Sequence, residues 1–153
     1  MGVGNLAKYN AKRGVNSKLD ASVGISCAFD VHKATAHIRS HAFGLYDIAV
    51  GKTFTQYASN YYQQFDNLAA KKHPERMIGN AAGEIRYGSE IASIFAKAAG
   101  LTLDQYMREA DVTPILHRIK KPFFFISARD DPFFGADVIP IGHCHDNILL
   151  GVL

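Results

Sequence analysis

Side chains able to do chemistry gather in two short stretches. In Arg129-Asp130-Asp131-Pro132, two carboxylates follow directly on the apolar run of residues 123–128. That run is too short for a typical helix and is rich in aromatic and β-branched residues. It therefore reads as a strand buried on both faces, and strands of that kind belong to parallel sheets. The carboxylates then fall on the loop beyond the strand's carboxyl end, the edge at which open α/β sheets hold their ligands. Asp before Pro is also ordinary turn punctuation. The second stretch, His143-Cys144-His145-Asp146, carries metal-capable side chains. Alternate residues on a short loop rarely converge on one ion, so no metal site is expected there and no cofactor is implied. His32, His37 and His41 read as exposed or core-satisfied side chains. Cys27 and Cys144 stand far apart with neither metal nor redox spacing, and a reducing compartment is the default.

Positioning the carboxylates requires a sheet and something to cover it. The 153 residues, 48% hydrophobic and 20% charged, have the composition of one ordinary soluble globular unit with a sizeable core. Seventeen Lys and Arg against fourteen Asp and Glu give a net charge of +3, and the basic residues form only short clusters such as Lys71-Lys72 and Lys120-Lys121. The lack of a long basic stripe argues against nucleic acid as a partner. No apolar stretch approaches membrane-spanning length and the N-terminus has no signal-peptide layout, which leaves a cytoplasmic location as the default.

The spacing predicts an amphipathic helix over residues 2–11, with Val3, Leu6, Ala7 and Ala11 on one side, ending near Arg13-Gly14. A strand follows over residues 21–28. Residues 31–112 show no convincing strand. Phe54, Tyr57, Ala58, Tyr61, Tyr62, Phe65, Leu68 and Ala69 recur at helical spacing, and Ile91, Ile94, Phe95 and Ala98 repeat the pattern. The tyrosine-rich face reads as the core of a helical cap, with the lining of an apolar acyl pocket as the functional alternative. Thr102 and Gln105 have capping-box spacing ahead of a third helix. Thr113-Pro114 opens a short helical turn into the central strand, and residues 147–153 make a last buried strand. The result is an α/β fold in three parts. Residues 1–30 supply a core helix and strand, residues 31–112 a helical cap, and residues 113–153 core strands carrying the acid loop. Three parallel strands leave edges and faces open, so the chain is expected to be the C-terminal part of a larger domain.

Ile119-Lys120-Lys121-Pro122, Ser127-Ala128-Arg129-Asp130-Asp131-Pro132-Phe133, Pro140 and Asn147-Ile148-Leu149-Leu150 together resemble the abhydrolase-domain esterases of the YheT-like, embryogenesis-associated type. Three more pieces are similar. Residues 103–110 resemble that family's cap segment, Ala28-Phe29-Asp30 its strand end before the cap, and Met1-Gly2-Val3-Gly4-Asn5 the tail of its Gly-x-Ser-Met-Gly-Gly-Asn nucleophile elbow. The likeness covers both ends of the chain and is poor over residues 33–83. It implies a partial α/β-hydrolase fold and acyl transfer by a Ser-Asp-His triad on a small-molecule ester or lipid. Asp131, directly before Pro132, would be the acid, and Asp130 its loop neighbour. Met1 would lend a backbone N–H to the oxyanion hole. The nucleophilic Ser and the His of the family's Gly-Gly-His would lie outside residues 1–153, as would any membrane-anchoring segment. Val3 departs from the pattern by standing where the family has Gly.

Two other readings stand beside this one. Gly24-Ile25-Ser26-Cys27-Ala28 approximates Gly-x-Ser-x-Gly, and Ser26, Asp131 and His145 fall in the chain order that α/β-hydrolases use, which would make a complete esterase. Against it, Ala28 occupies the position of the second Gly, and His145 precedes the last strand where the family's His follows it. The remaining reading is a non-catalytic binding module built from the same fold pieces.

Overall fold

The computed structural model describes residues 2–69 and 83–153. It is a mixed α/β structure with three parallel strands and several helices, and the chain divides into two compact units. One comprises Met1–His37 with Ala110–Leu153, the other Ile38–Glu109.

The first unit is built on strands β1 (Ser22–Ile25), β2 (Phe123–Ser127) and β3 (Ile148–Val152), hydrogen-bonded in that order and all parallel. Ser22 lies opposite Phe123, and Phe123 opposite Ile148. Helix α1 (Gly2–Arg13) covers one face of this sheet, ending at Gly14, whose φ of 53° suits a residue without Cβ. Ala7 and Ala11 are buried on the sheet side, as the periodicity predicts. α1 approaches β1 closely because Gly24 has no side chain. A Cβ there would run into Val3 Cγ1 and come within 3.2 Å of the Phe123 ring. Beneath the helix, the rings of Phe123 and Phe125 stack with centroids 4.0 Å apart, and Phe29 meets Phe125 edge-on at 4.9 Å. Val112 and the 3-10 turn Thr113–Arg118, through Leu116, complete this core with Ile119.

The expectation that β2 is buried on both faces is corrected. Phe123, Phe125 and Ser127 are buried, whereas Phe124 and Ile126 are half-buried, and their neighbours Val23, Ile25 and Leu149 stand exposed. The physical reason is the period of two along a strand. Residues of one parity point at α1, and those of the other point at a face that no described helix covers. β1 is also shorter than residues 21–28, because Ser26 takes φ 53° and ends the strand.

The second unit is helical among its described residues. α2 (Val31–Ser40) runs into it, followed by α3 (Leu45–Ala69), α4 (Ile91–Ala99) and α5 (Leu103–Ala110). Among the described residues its core cluster holds Ala58, Ile85 and Ile94, with Phe54, Ile91 and Ala98 packed on them. Polar ties supplement it. The buried Asp47 carboxylate accepts from the Ser89 N–H at 2.6 Å and the Ser89 hydroxyl at 2.9 Å. The capping box expected at α5 is formed, Thr102 Oγ1 accepting from Gln105 N–H and Gln105 Oε1 from Thr102 N–H. Tyr57 and Tyr61, expected in the cap core, stand exposed and face each other at 4.8 Å. The inward stripe of α3 is taken by Phe54 and Ala58, and Tyr57 and Tyr61 fall on the adjacent stripe. Residues 70–82, with the Lys71-Lys72 pair, and the side chains of Tyr62, Phe65, Leu68 and Ala69 lie outside the description.

Gly24→Ala should therefore force Val3 and the Phe123 ring apart and destabilise the protein by roughly 1–3 kcal/mol, as overpacking does. Val3→Ala in the same chain should recover most of that loss. Urea unfolding of the four-member set checks this, and additive effects would mean that the two positions are not in contact.

Candidate functional site

Because the strands are parallel, their carboxyl ends share one edge. It carries Ser26 and Cys27 after β1, residues 128–131 after β2, and the end of β3, whose Leu153 carbonyl accepts from Arg129 N–H at 2.9 Å. Asp131 is half-buried and Asp130 exposed. Asp131 Oδ1 accepts two backbone hydrogen bonds, from Phe133 N–H at 2.8 Å and Phe134 N–H at 3.1 Å. The loop after β2 thus folds around this carboxylate as an Asx turn, with Pro132 fixing φ inside it. Asp131 Oδ2 has no hydrogen-bond partner among the described residues. An acid held by one oxygen with the other available can accept from an imidazole N–H or another donor.

Farther along this loop, Gly135 lies against the ring of His37, with Asp137 Oδ1 2.9 Å from where a Cβ would be. Lys33 Nζ donates to the Asp137 carbonyl at 3.3 Å. The loop that carries Asp131 is in this way seated on one side of α2. His37 had no individual signal in the sequence. His32 and His41 are exposed, as expected.

Two features at this edge break local rules. Ser26 adopts a left-handed conformation unusual for a residue with a Cβ, while its N–H still donates to the Ile126 carbonyl at 2.9 Å. Ser127, opposite it in the continued register, buries its Oγ with no partner among the described residues. A buried hydroxyl without a partner is costly, and such exceptions to local consistency concentrate at functional sites. Cys27 is the least promising nucleophile here. Burial pushes its thiol up to about 12, so it is protonated at neutral pH.

The other chemical stretch is elsewhere. His143, Cys144, His145 and Asp146 precede β3 and therefore lie at the amino edge of the sheet, where the His145 carbonyl accepts from Ile148 N–H at 2.7 Å and its ring lies 6.4 Å from that of His117. A strand of five residues separates this edge from Asp131 by roughly 15 Å or more at about 3.3 Å per residue. Ser26 and Asp131 are brought to one edge, and His145 to the opposite one. Among the described residues no group of three or more His, Cys, Asp or Glu is placed to hold a metal. An open groove of about 370 Å³, lined by residues including Ala21, Phe123, Asp146 and Ile148, also sits at the amino ends of the strands and not beside Asp131. Met1, assigned to the oxyanion hole by resemblance, lies outside the described residues. Comparison of the chain with protein-family models, curated proteins and solved structures finds no match.

The two backbone hydrogen bonds make Asp131→Ala the more damaging substitution of the pair. A loss of about 1–2 kcal/mol is expected, since a charged acceptor is removed from two N–H donors. Asp130→Ala should stay within about 0.5 kcal/mol, which urea unfolding of both variants measures. For Cys27, folding favours the neutral thiol, so its contribution to stability is present below the unfolded pKa and lost as pH rises towards 12. At pH 8 its alkylation by iodoacetamide should be slower than that of a free cysteine by on the order of a thousand-fold. Intact-mass kinetics on a Cys144→Ala background read this directly.

Proposed function

We propose that these residues are the C-terminal part of the catalytic domain of a serine carboxylic-ester hydrolase of the α/β-hydrolase type, resembling the YheT-like abhydrolase-domain esterases. The observation that carries the reading is Asp131, half-buried on the loop at the carboxyl end of β2, its Oδ1 tied to its own loop and its Oδ2 without a partner among the described residues. The order of elements supports it as well: a helix on the sheet, a strand, a helical unit and then two further parallel strands.

In this reading Asp131 accepts from the Nδ1–H of a triad histidine, holds it in the working tautomer and stabilises the imidazolium formed when a serine attacks the ester carbonyl. Asp130 is a solvent-facing neighbour. The serine and histidine come from outside residues 1–153. The substrate is a small-molecule ester or lipid, with no metal or organic cofactor in the chemistry. A non-catalytic binding module is the second reading. The position of His145 on the edge away from Asp131 argues against the triad of Ser26, Asp131 and His145, which leaves the binding module as the alternative.

A fluorophosphonate probe applied to the protein as its source expresses it is expected to label a serine outside residues 1–153. In that protein Asp131→Asn keeps an acceptor at Oδ1, so the fold should stand while turnover of a chromogenic ester drops roughly a thousand-fold or more. Asp130→Asn should do far less. Labelling at Ser26 would overturn this reading. Absence of both labelling and turnover would favour the binding module.

A further inference from the structure

We propose that the turn joining α2 to α3 is an anchor for an anionic lipid surface, with Phe43 as the inserting side chain and Arg39 and Lys52 as its headgroup contacts. This does not rest on the ester-hydrolase reading. It departs from the sequence-based expectation that any membrane contact lies outside these residues.

The backbone of the turn is the first observation. Ala42, Phe43 and Gly44 take φ values of 47°, 56° and 75°, three successive left-handed residues of which only the last is glycine. The conformation is unfavourable for alanine and more so for a bulky aromatic. The turn brings Gly44 against the Arg39 carbonyl, which lies 3.4 Å from where a Cβ would stand.

The second observation is that the strained side chain gains nothing from the fold. Phe43 is 100% exposed and takes no part in the helical unit's core of Ala58, Ile85 and Ile94. Leu45 follows at 65% exposed and Tyr46 at 40%. Strain that presents an aromatic ring to solvent is compensated only if the ring enters an apolar phase when the protein is engaged.

Charge identifies that phase. Over residues 38–52 the one carboxylate, Asp47, is turned inward and satisfied by Ser89. Within that segment the charged side chains left at the surface are Arg39 and Lys52, both exposed, Lys52 lying two turns along α3 on the face that carries Leu45, while the exposed Glu90 beside Ser89 is tied to the N–H groups of Arg86 and Tyr87. An apolar tip with basic flanks matches a bilayer with anionic headgroups, and a tyrosine beside it suits the interfacial layer. A protein partner fits less well. A stable protein interface needs roughly 800 Å² a side, more than three side chains on one turn present.

Sedimentation of the full chain with vesicles of phosphatidylcholine alone, or of phosphatidylcholine mixed with phosphatidylserine, tests the assignment. The chain should partition onto the mixed vesicles, and Phe43→Ser should weaken that partition roughly ten-fold or more. Arg39→Gln with Lys52→Gln should remove the preference for phosphatidylserine. Phe43→Gly should lose binding while keeping or raising the melting temperature, since glycine accepts the left-handed conformation freely. No partition by the wild type, equal partition by Phe43→Ser, or a lower melting temperature for Phe43→Gly would each overturn the proposal. A concentration-dependent dimer abolished by Phe43→Ser would overturn it in favour of a second copy of the chain.

Discussion

Parallel pairing of β1 with β2 and of β2 with β3 is the constraint on which the rest of the first unit depends. Parallel strands cannot be joined by tight turns, so each connection must travel the length of the sheet before the next strand begins. The longer of the two, from β1 to β2, contains the whole helical unit. Their common direction also gathers three carboxyl ends at one edge, where backbone N–H and C=O groups and loop side chains are free to meet a ligand. The sheet can be held in this arrangement because α1 lies close over β1 at Gly24, with Val3 occupying the space a side chain would have filled. Val3 and Gly24 thus act as a complementary pair.

Asp131 owes its placement to a loop that folds around it. Two N–H groups on Oδ1 set the orientation of the carboxylate, and the neighbouring Asp130 lacks both those bonds and its burial. The difference between the two acids is therefore one of local backbone geometry, with no large charge beside either required. Ser26 and Ser127 at the same edge bring the opposite lesson. One keeps an unfavourable φ and the other an unpartnered buried hydroxyl. Neither helps the first unit's stability, and both lie where a parallel α/β sheet does its work.

The described part of the helical unit combines an apolar cluster with polar attachments. Among the described residues Ala58, Ile85 and Ile94 form a buried cluster, and Asp47 with Ser89, Thr55 with the Ile85 carbonyl, and the Thr102–Gln105 box add polar ties. Tyr57, Tyr61 and Phe43 remain at the surface, and of these Phe43 alone is held there by a strained backbone.

Signals that depend on a few adjacent residues were legible in the sequence by itself. The period of α1, the capping box of α5, the Pro-led turn at Thr113–Arg118, the strand character of β2 and β3, and the carboxylate loop after β2 all follow from local propensity and spacing. So did the mixed α/β class, since strands buried in short apolar runs and separated by helices have few ways to pair. What only the tertiary structure decided depends on partners distant in the chain. An apolar run does not say which parity will be covered, and the exposure of Val23, Ile25 and Leu149 was settled by where α1 lies. The order of Ser26, Asp131 and His145 along the chain carries no statement of distance, and parallel pairing sends the histidine to the far edge. Helical spacing marked the tyrosines of α3 without saying which stripe would face the unit's core. The left-handed turn at Phe43 has no sequence mark, because alanine and phenylalanine take that conformation only when the surrounding chain imposes it.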